Sequence, residues 1–194
     1  DGLRVLGVKK ENIIFLGYPD SGLKDMLGKN WSTTYTSKYT KKNSSPYSNS
    51  YHQNVSYTGE NLDIEISKIL DDYRQDIVFA TNPADIHPDH SATGNFVKKA
   101  LEKNNNLKPK LYFYLIHYKR FPYPKGYHTN RMITPPSKLI QITNPWLKFT
   151  LNNQTLELKK QAVKQYKTQL KVPLLRSLMD GFIRKNELFQ EVQM

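Results

Sequence analysis

The sequence predicts an α/β domain: a Rossmann-like, mostly parallel sheet flanked by helices. Three observations carry that expectation. The apolar, β-branched run Asp76-Ile77-Val78-Phe79-Ala80-Thr81 reads as a buried strand. From Ser91 to Lys103, Ala92, Phe96, Val97, Ala100 and Leu101 recur on one helical face. Between the two stands Asp85-Ile86-His87-Pro88-Asp89-His90, with Pro88 suited to the first helical position. The carboxyl end of a strand, where a helix begins, is where open α/β sheets bind ligands.

The other elements follow in order. Asp1 to Val8 reads as the last turns of a helix stopped by Gly7. Ile13 to Leu16 reads as a short buried strand, ended by the turn-rich Gly17-Tyr18-Pro19-Asp20-Ser21-Gly22. With parallel strands that turn opens on the edge that carries the histidines. Asp20 is then either a pocket carboxylate or an Asx-turn residue. Asn30 to Tyr57 is polar and lacks helical period, so it reads as a long loop. Its Trp31, Tyr35, Tyr39, Tyr47 and Tyr51 either offer flat faces to sugar rings or pin the loop to the body. His52 in the same loop has no partner that the sequence names.

Thr58 or Asn61 caps a helix whose apolar positions are Leu62, Ile66, Ile69, Leu70 and Tyr73. Lys110 to Ile116 is the next strand, giving a βαβ order, and His117 ends it. Phe121 to Tyr127 and Pro135-Pro136 are rim loops, and Trp146 to Leu151 is an edge strand. Leu158, Ala162, Tyr166 and Leu170 step by four along an amphipathic helix, and Leu178 to Val192 holds a last one. No repeat or linker divides residues 1–194, so one domain is expected.

Composition narrows the function. With 38% hydrophobic and 12% aromatic residues the chain can build a core. It has no apolar run of about 18 residues, so no transmembrane segment is expected. It contains no cysteine, which rules out disulfides and thiolate metal sites. That usage suits a secreted or cell-surface bacterial protein, and cytosolic proteins share it. A net charge of +12 favours anionic partners such as a cell-wall polymer. Because the lysines are spread along the chain, a diffusely solvated basic surface is the reading, and no specific nucleic acid is expected.

His87 and His90 stand three apart at a helix start and share a side. Neutral imidazole ligates zinc, and Asp85 or Asp89 can fix the tautomer. The plain alternative is a solvated loop with a capping aspartate. The hexapeptide and the preceding Thr81-Asn82-Pro83 resemble the second signature of the LmbE-like (PIG-L) zinc deacetylases. That family includes the GlcNAc-phosphatidylinositol de-N-acetylases and the mycothiol- and bacillithiol-pathway deacetylases. Leu6-Gly7-Val8 with Ile14 to Leu23 resembles the family's second strand and substrate loop, and Tyr57 to Leu62 its following helix start. Lys160, Ala162, Tyr166 and Gln169, then Phe182 to Phe189, resemble its closing helices.

The resemblance implies a zinc-dependent (Zn2+) hydrolase that removes an N-acetyl group from an amino sugar. It implies His90 as zinc ligand, His87 on the oxyanion side, Asp89 orienting His87 and Asp20 touching substrate; Asp85 receives no role. The family's first signature, Ala-His-Pro-Asp-Asp, supplies further ligands and the general base, and this sequence has no copy. The expectation is therefore a C-terminal portion, lacking the first strand–helix unit and inactive alone. The gap would be filled by a complementing chain or a strand-swapped neighbour. Two other readings stand beside it: a non-catalytic carbohydrate or cell-wall binding module on the same fold, and a basic nucleic-acid binder.

Overall fold

A computed structural model describes residues 1–104, 106–140 and 143–193. In chain order the longer elements are α1 (Gly2–Val5), α2 (Leu23–Leu27), α3 (Gly59–Tyr73), β1 (Ile77–Thr81), α4 (Pro88–Lys103), β2 (Lys110–Tyr114), β3 (Trp146–Thr150), α5 (Asn153–Lys164), α6 (Lys167–Leu170), α7 (Pro173–Gly181) and β4 (Asn186–Val192). They form two compact units, one of Ile14–Leu115 with Val192–Met194, the other of Asp1–Ile13 with Ile116–Glu191.

The first unit contains the βαβ order read from the sequence. β1 and β2 run parallel, with Ile77 opposite Lys110 and Thr81 opposite Tyr114. Ala80, Leu111 and Phe113 point into a core with Leu70 of α3 and Ala100 and Leu101 of α4. Each large apolar side chain buried there contributes roughly 1.5–3 kcal/mol. Thr58 caps α3 by accepting a hydrogen bond from the Asn61 amide at 3.1 Å. Gly94 lets α4 lie against the end of β1, because a Cβ there would overlap the Thr81 carbonyl oxygen. That close approach sets the position of the α4 amino end.

In this unit two expectations give way. Ile13 to Leu16 is not a strand, and Ile13 and Phe15 are exposed. The run before the hexapeptide is a strand but not a buried one. Ile77 and Phe79 are 46% and 52% exposed on the face away from the core, where Phe79 stacks on Tyr112 at 5.5 Å. An unbroken apolar run does not tell one covered face from two. Among the described residues, β1 has only β2 as a neighbouring strand.

In the second unit β3 and β4 are antiparallel, with Trp146 opposite Gln190 and Thr150 opposite Asn186. The mostly parallel expectation is thus met by one pair and not by the other. The region read as a final helix over Leu178 to Val192 is the end of α7 followed by β4. Asn186, Leu188 and Gln190 are buried at alternate positions, two of them polar. The buried Asn186 side chain is satisfied by accepting from the Ile133 amide at 2.7 Å and donating to its carbonyl at 3.1 Å. The step-by-four pattern from Leu158 to Leu170 also covers two helices, α5 and α6, broken around Tyr166. Arg184 is wholly buried and donates to the carbonyls of Gly181, His128 and Pro124. Burial, with Arg131 nearby, lowers its pKa.

Candidate active site

The hexapeptide is folded by its own short-range bonds. The Thr81 hydroxyl donates to the His90 carbonyl at 2.7 Å, and the Ser91 hydroxyl to the Pro83 carbonyl at 2.7 Å. The Asn82 side chain accepts from the Ala84 amide, and Asp85 from the His87 amide, both at 2.9 Å. Pro88 starts α4 without a donor to satisfy. These local bonds set much of the chain direction at His87 and His90. Their rings face each other with centroids 4.5 Å apart and a tilt of 35°.

Three carboxylates, Asp85, Asp89 and Asp20, lie at or beside these rings, and a fourth, Glu65, serves another histidine. The Asp85 side chain has no exposure, and its Oδ2 lies 3.4 Å from Nδ1 of His90. The residue pattern offered Asp85, as an alternative to Asp89, for fixing a histidine tautomer, while the family resemblance gave it no role; its place two residues before His87 also suits an Asx turn. Tyr114, on β2, has its phenol pKa raised by burial and then by Asp85. Asp89 is buried and accepts from the Ser21 amide at 2.6 Å and the Leu23 amide at 3.1 Å. It thereby fastens the turn of Gly17 to Gly22 beside the histidines. Asp20, on that turn, stays exposed. Donor atoms of Asp20, His87 and Asp89 all lie within 4.8 Å of one another.

The fourth carboxylate, Glu65, is a buried group of α3 that the sequence pattern concealed. Its Oε1 sits 3.0 Å from Nδ1 of His52, the loop histidine without an evident partner. Burial raises the Glu65 pKa, while His52 and the neighbouring Tyr18 phenol oppose the rise. The Tyr18 phenol is pushed far up, by burial first and then by Glu65. His128 lies with Nε2 3.1 Å from the Lys125 carbonyl. Neither His117 nor His128 joins the Asp20–His87–Asp89 group.

No helix among the described residues is long and apolar enough to cross a membrane. Comparison with curated proteins gives no match. Comparison with protein families matches residues 1–101 to PIG-L, described as GlcNAc-PI de-N-acetylase. The matched stretch runs from α1 almost to the end of α4 and contains Asp20, Asp85, His87, Asp89 and His90. The chain belongs to the PIG-L family, a family of deacetylase-type hydrolases.

Proposed function

We propose that the chain carries a zinc-dependent site that removes the acetyl group from an N-acetylated amino sugar. The observation that supports this reading is the convergence of His87, His90, Asp85 and Asp89 at one strand-to-helix turn, with Asp20 of the turn before α2 beside them. The donors fit the metal, since imidazole nitrogen and carboxylate oxygen are ordinary zinc ligands and three of them with a water make a catalytic site. In this reading His90 holds the ion. Its Nδ1 beside a buried Asp85 is the arrangement in which a second carboxylate fixes the ring of a ligating histidine. When bound, zinc polarises the amide carbonyl and makes hydroxide available near neutral pH.

The chain's own residues do the rest. His87, grouped with Asp20 and Asp89, stabilises the oxyanion and hands a proton to the departing amine. Asp89 holds Ser21 and Leu23 so that Asp20 meets the sugar hydroxyls. A second reading, favoured by the 4.8 Å grouping, places the ion between Asp20, His87 and Asp89. Zinc titration of His87→Ala and His90→Ala separates the two, because only the variant that loses a ligand loses affinity.

The sequence has no Ala-His-Pro-Asp-Asp stretch to supply a base. Turnover by the chain alone is therefore expected to be low. A segment carrying that stretch, from a complementing chain or a strand-swapped neighbour, would lie along the side of β1 away from β2. The +12 charge suits delivery of the substrate on an anionic surface such as a cell-wall polymer. Metal analysis and acetate release, with and without such a segment, test the reading. Protein that binds no zinc under either condition would end it.

A further inference from the structure

The net charge of +12 is not shared evenly between the two units. The unit of Asp1–Ile13 and Ile116–Glu191 holds 17 lysines and arginines against 6 aspartates and glutamates, while the other holds 12 against 11. One unit is close to neutral and the other strongly basic. Within the basic unit a cleft of about 610 Å³ is lined by Lys119, Arg120 and Lys138 together with Tyr118, Phe121 and Tyr123. No carboxylate lines it. Among the described residues none of these three cations has an ion-pair partner, whereas Lys159, Lys160 and Arg176 of the same unit are paired with Glu187, Glu157 and Asp180.

Both walls of the cleft are tied to the interior. In one, Phe121 is buried and meets Phe182 edge to face at 5.7 Å, and its amide closes a turn on the Tyr118 carbonyl at 3.1 Å. That turn leaves Arg120 at φ +57°, a left-handed backbone that side chains disfavour. The other wall begins at Thr134, next to Ile133, whose amide and carbonyl are held by the buried Asn186 side chain. Three like charges thus stand on fixed backbone where no acid offsets them, an arrangement that an anion relieves.

We infer that this cleft binds a phosphorylated organic molecule, with the phosphoryl group at the three cations and the organic body on the tyrosines. The planar fork of an arginine takes two oxygens of one phosphoryl group, and lysines add point charges beside it. Tyr123, 74% exposed, offers a ring face that a bare anion would leave unused. A neutral sugar or an alkyl chain would leave the charges unanswered. The volume lies within the roughly 300–1,000 Å³ usual for small-molecule sites. The same phosphoryl chemistry can arrive on a soluble molecule or on a lipid headgroup. Binding here needs neither zinc nor acetate release, so its failure and that of the deacetylase reading are separate.

Calorimetry on the intact chain tests this with phenyl phosphate, inorganic phosphate and phenol. Phenyl phosphate is expected to bind about tenfold more tightly than inorganic phosphate, and phenol not measurably. Added salt should weaken the binding, since the cations are exposed. Arg120→Gly suits the left-handed backbone and so keeps the turn. It is expected to lower the affinity for phenyl phosphate about tenfold, and Lys138→Ala about threefold. Lys171→Ala, at an exposed lysine of the same unit outside the cleft, leaves it unchanged. Sedimentation with phosphatidylglycerol vesicles separates the two sources. Vesicle binding that Arg120→Gly abolishes assigns the phosphoryl group to a lipid surface, and phenyl phosphate binding without vesicle binding assigns it to a soluble ligand. No phenyl phosphate binding by the unaltered chain, or binding that ignores Arg120→Gly, overturns the site.

Discussion

The hexapeptide turn and the segment between α2 and α3 are both polar, both irregular and both adjoin Asp20, yet they are held in opposite ways. The turn is shaped chiefly by side-chain bonds that reach at most nine residues, from Thr81 to His90, with longer bonds added at Asn82 and Asp89. The segment is held by distant partners. The Tyr51 amide donates to the Phe15 carbonyl at 2.8 Å, Tyr57 to Gly17, and His52 pairs with Glu65. A turn closed by its own bonds presents its side chains wherever the fold places it. A segment held from outside has its shape only while the body behind it is intact.

Four changes sharpen that contrast, beginning with the largest. His90→Ala is expected to lower zinc affinity about a hundredfold or more, since even losing a supporting partner of a ligand costs about 10–100-fold. Competition with a chelating dye measures it, and unaltered affinity would move the ion to the Asp20–His87–Asp89 group. Asp89→Asn comes next. Asn has one amide oxygen for two backbone donors, so one N–H at the Ser21–Leu23 turn loses its acceptor. A loss of about 1–3 kcal/mol in urea unfolding is expected, and an unchanged midpoint would show that the turn holds without Asp89.

Gly17→Ala acts from the segment's side. Gly17 has φ +77°, and a Cβ there meets Ser45 and Ser50. The left-handed backbone alone costs about 1–2 kcal/mol. Amide exchange should quicken in residues 44–51 while the amides of α4 stay protected; equal loosening of both would erase the distinction drawn above.

The smallest effect is on pH dependence. Because burial raises the Glu65 pKa in the folded chain, its stability contribution is full below the ordinary carboxylate value and is lost as pH rises through the raised one. The unaltered chain should therefore lose stability relative to Glu65→Gln between acid and neutral pH. Unfolding at several pH values measures the difference, and a constant gap would contradict the assignment.

Elements whose pattern is apolar and local were legible. α4 and its buried Ala92, Phe96, Ala100 and Leu101 follow from spacing, as does the cap of α3 at Thr58. Elements with buried polar groups were not. α3 buries Asp63 and Glu65 while leaving Ile64 exposed, and Lys103 reaches Asp63 at 2.6 Å from α4. β4 hides Asn186 and Gln190, so the alternation that marks a strand is invisible to an apolar count. Ile13 to Leu16 fails in the opposite way, as an apolar run that no strand neighbour takes up.

The sequence by itself determined most of the turn that holds His87 and His90, because the bonds of Thr81, Ser91, Asn82 and Asp85 that shape it stay within nine residues and need only the right side chains at the right spacing. Only the tertiary structure decided which carboxylate serves which partner. Asp85 stands by His90, Asp89 by the Ser21 and Leu23 amides, and Glu65 by His52. Those choices depend on burial and on groups more than ten residues away in all but the first case. A buried carboxylate takes the donor that the packed core brings to it.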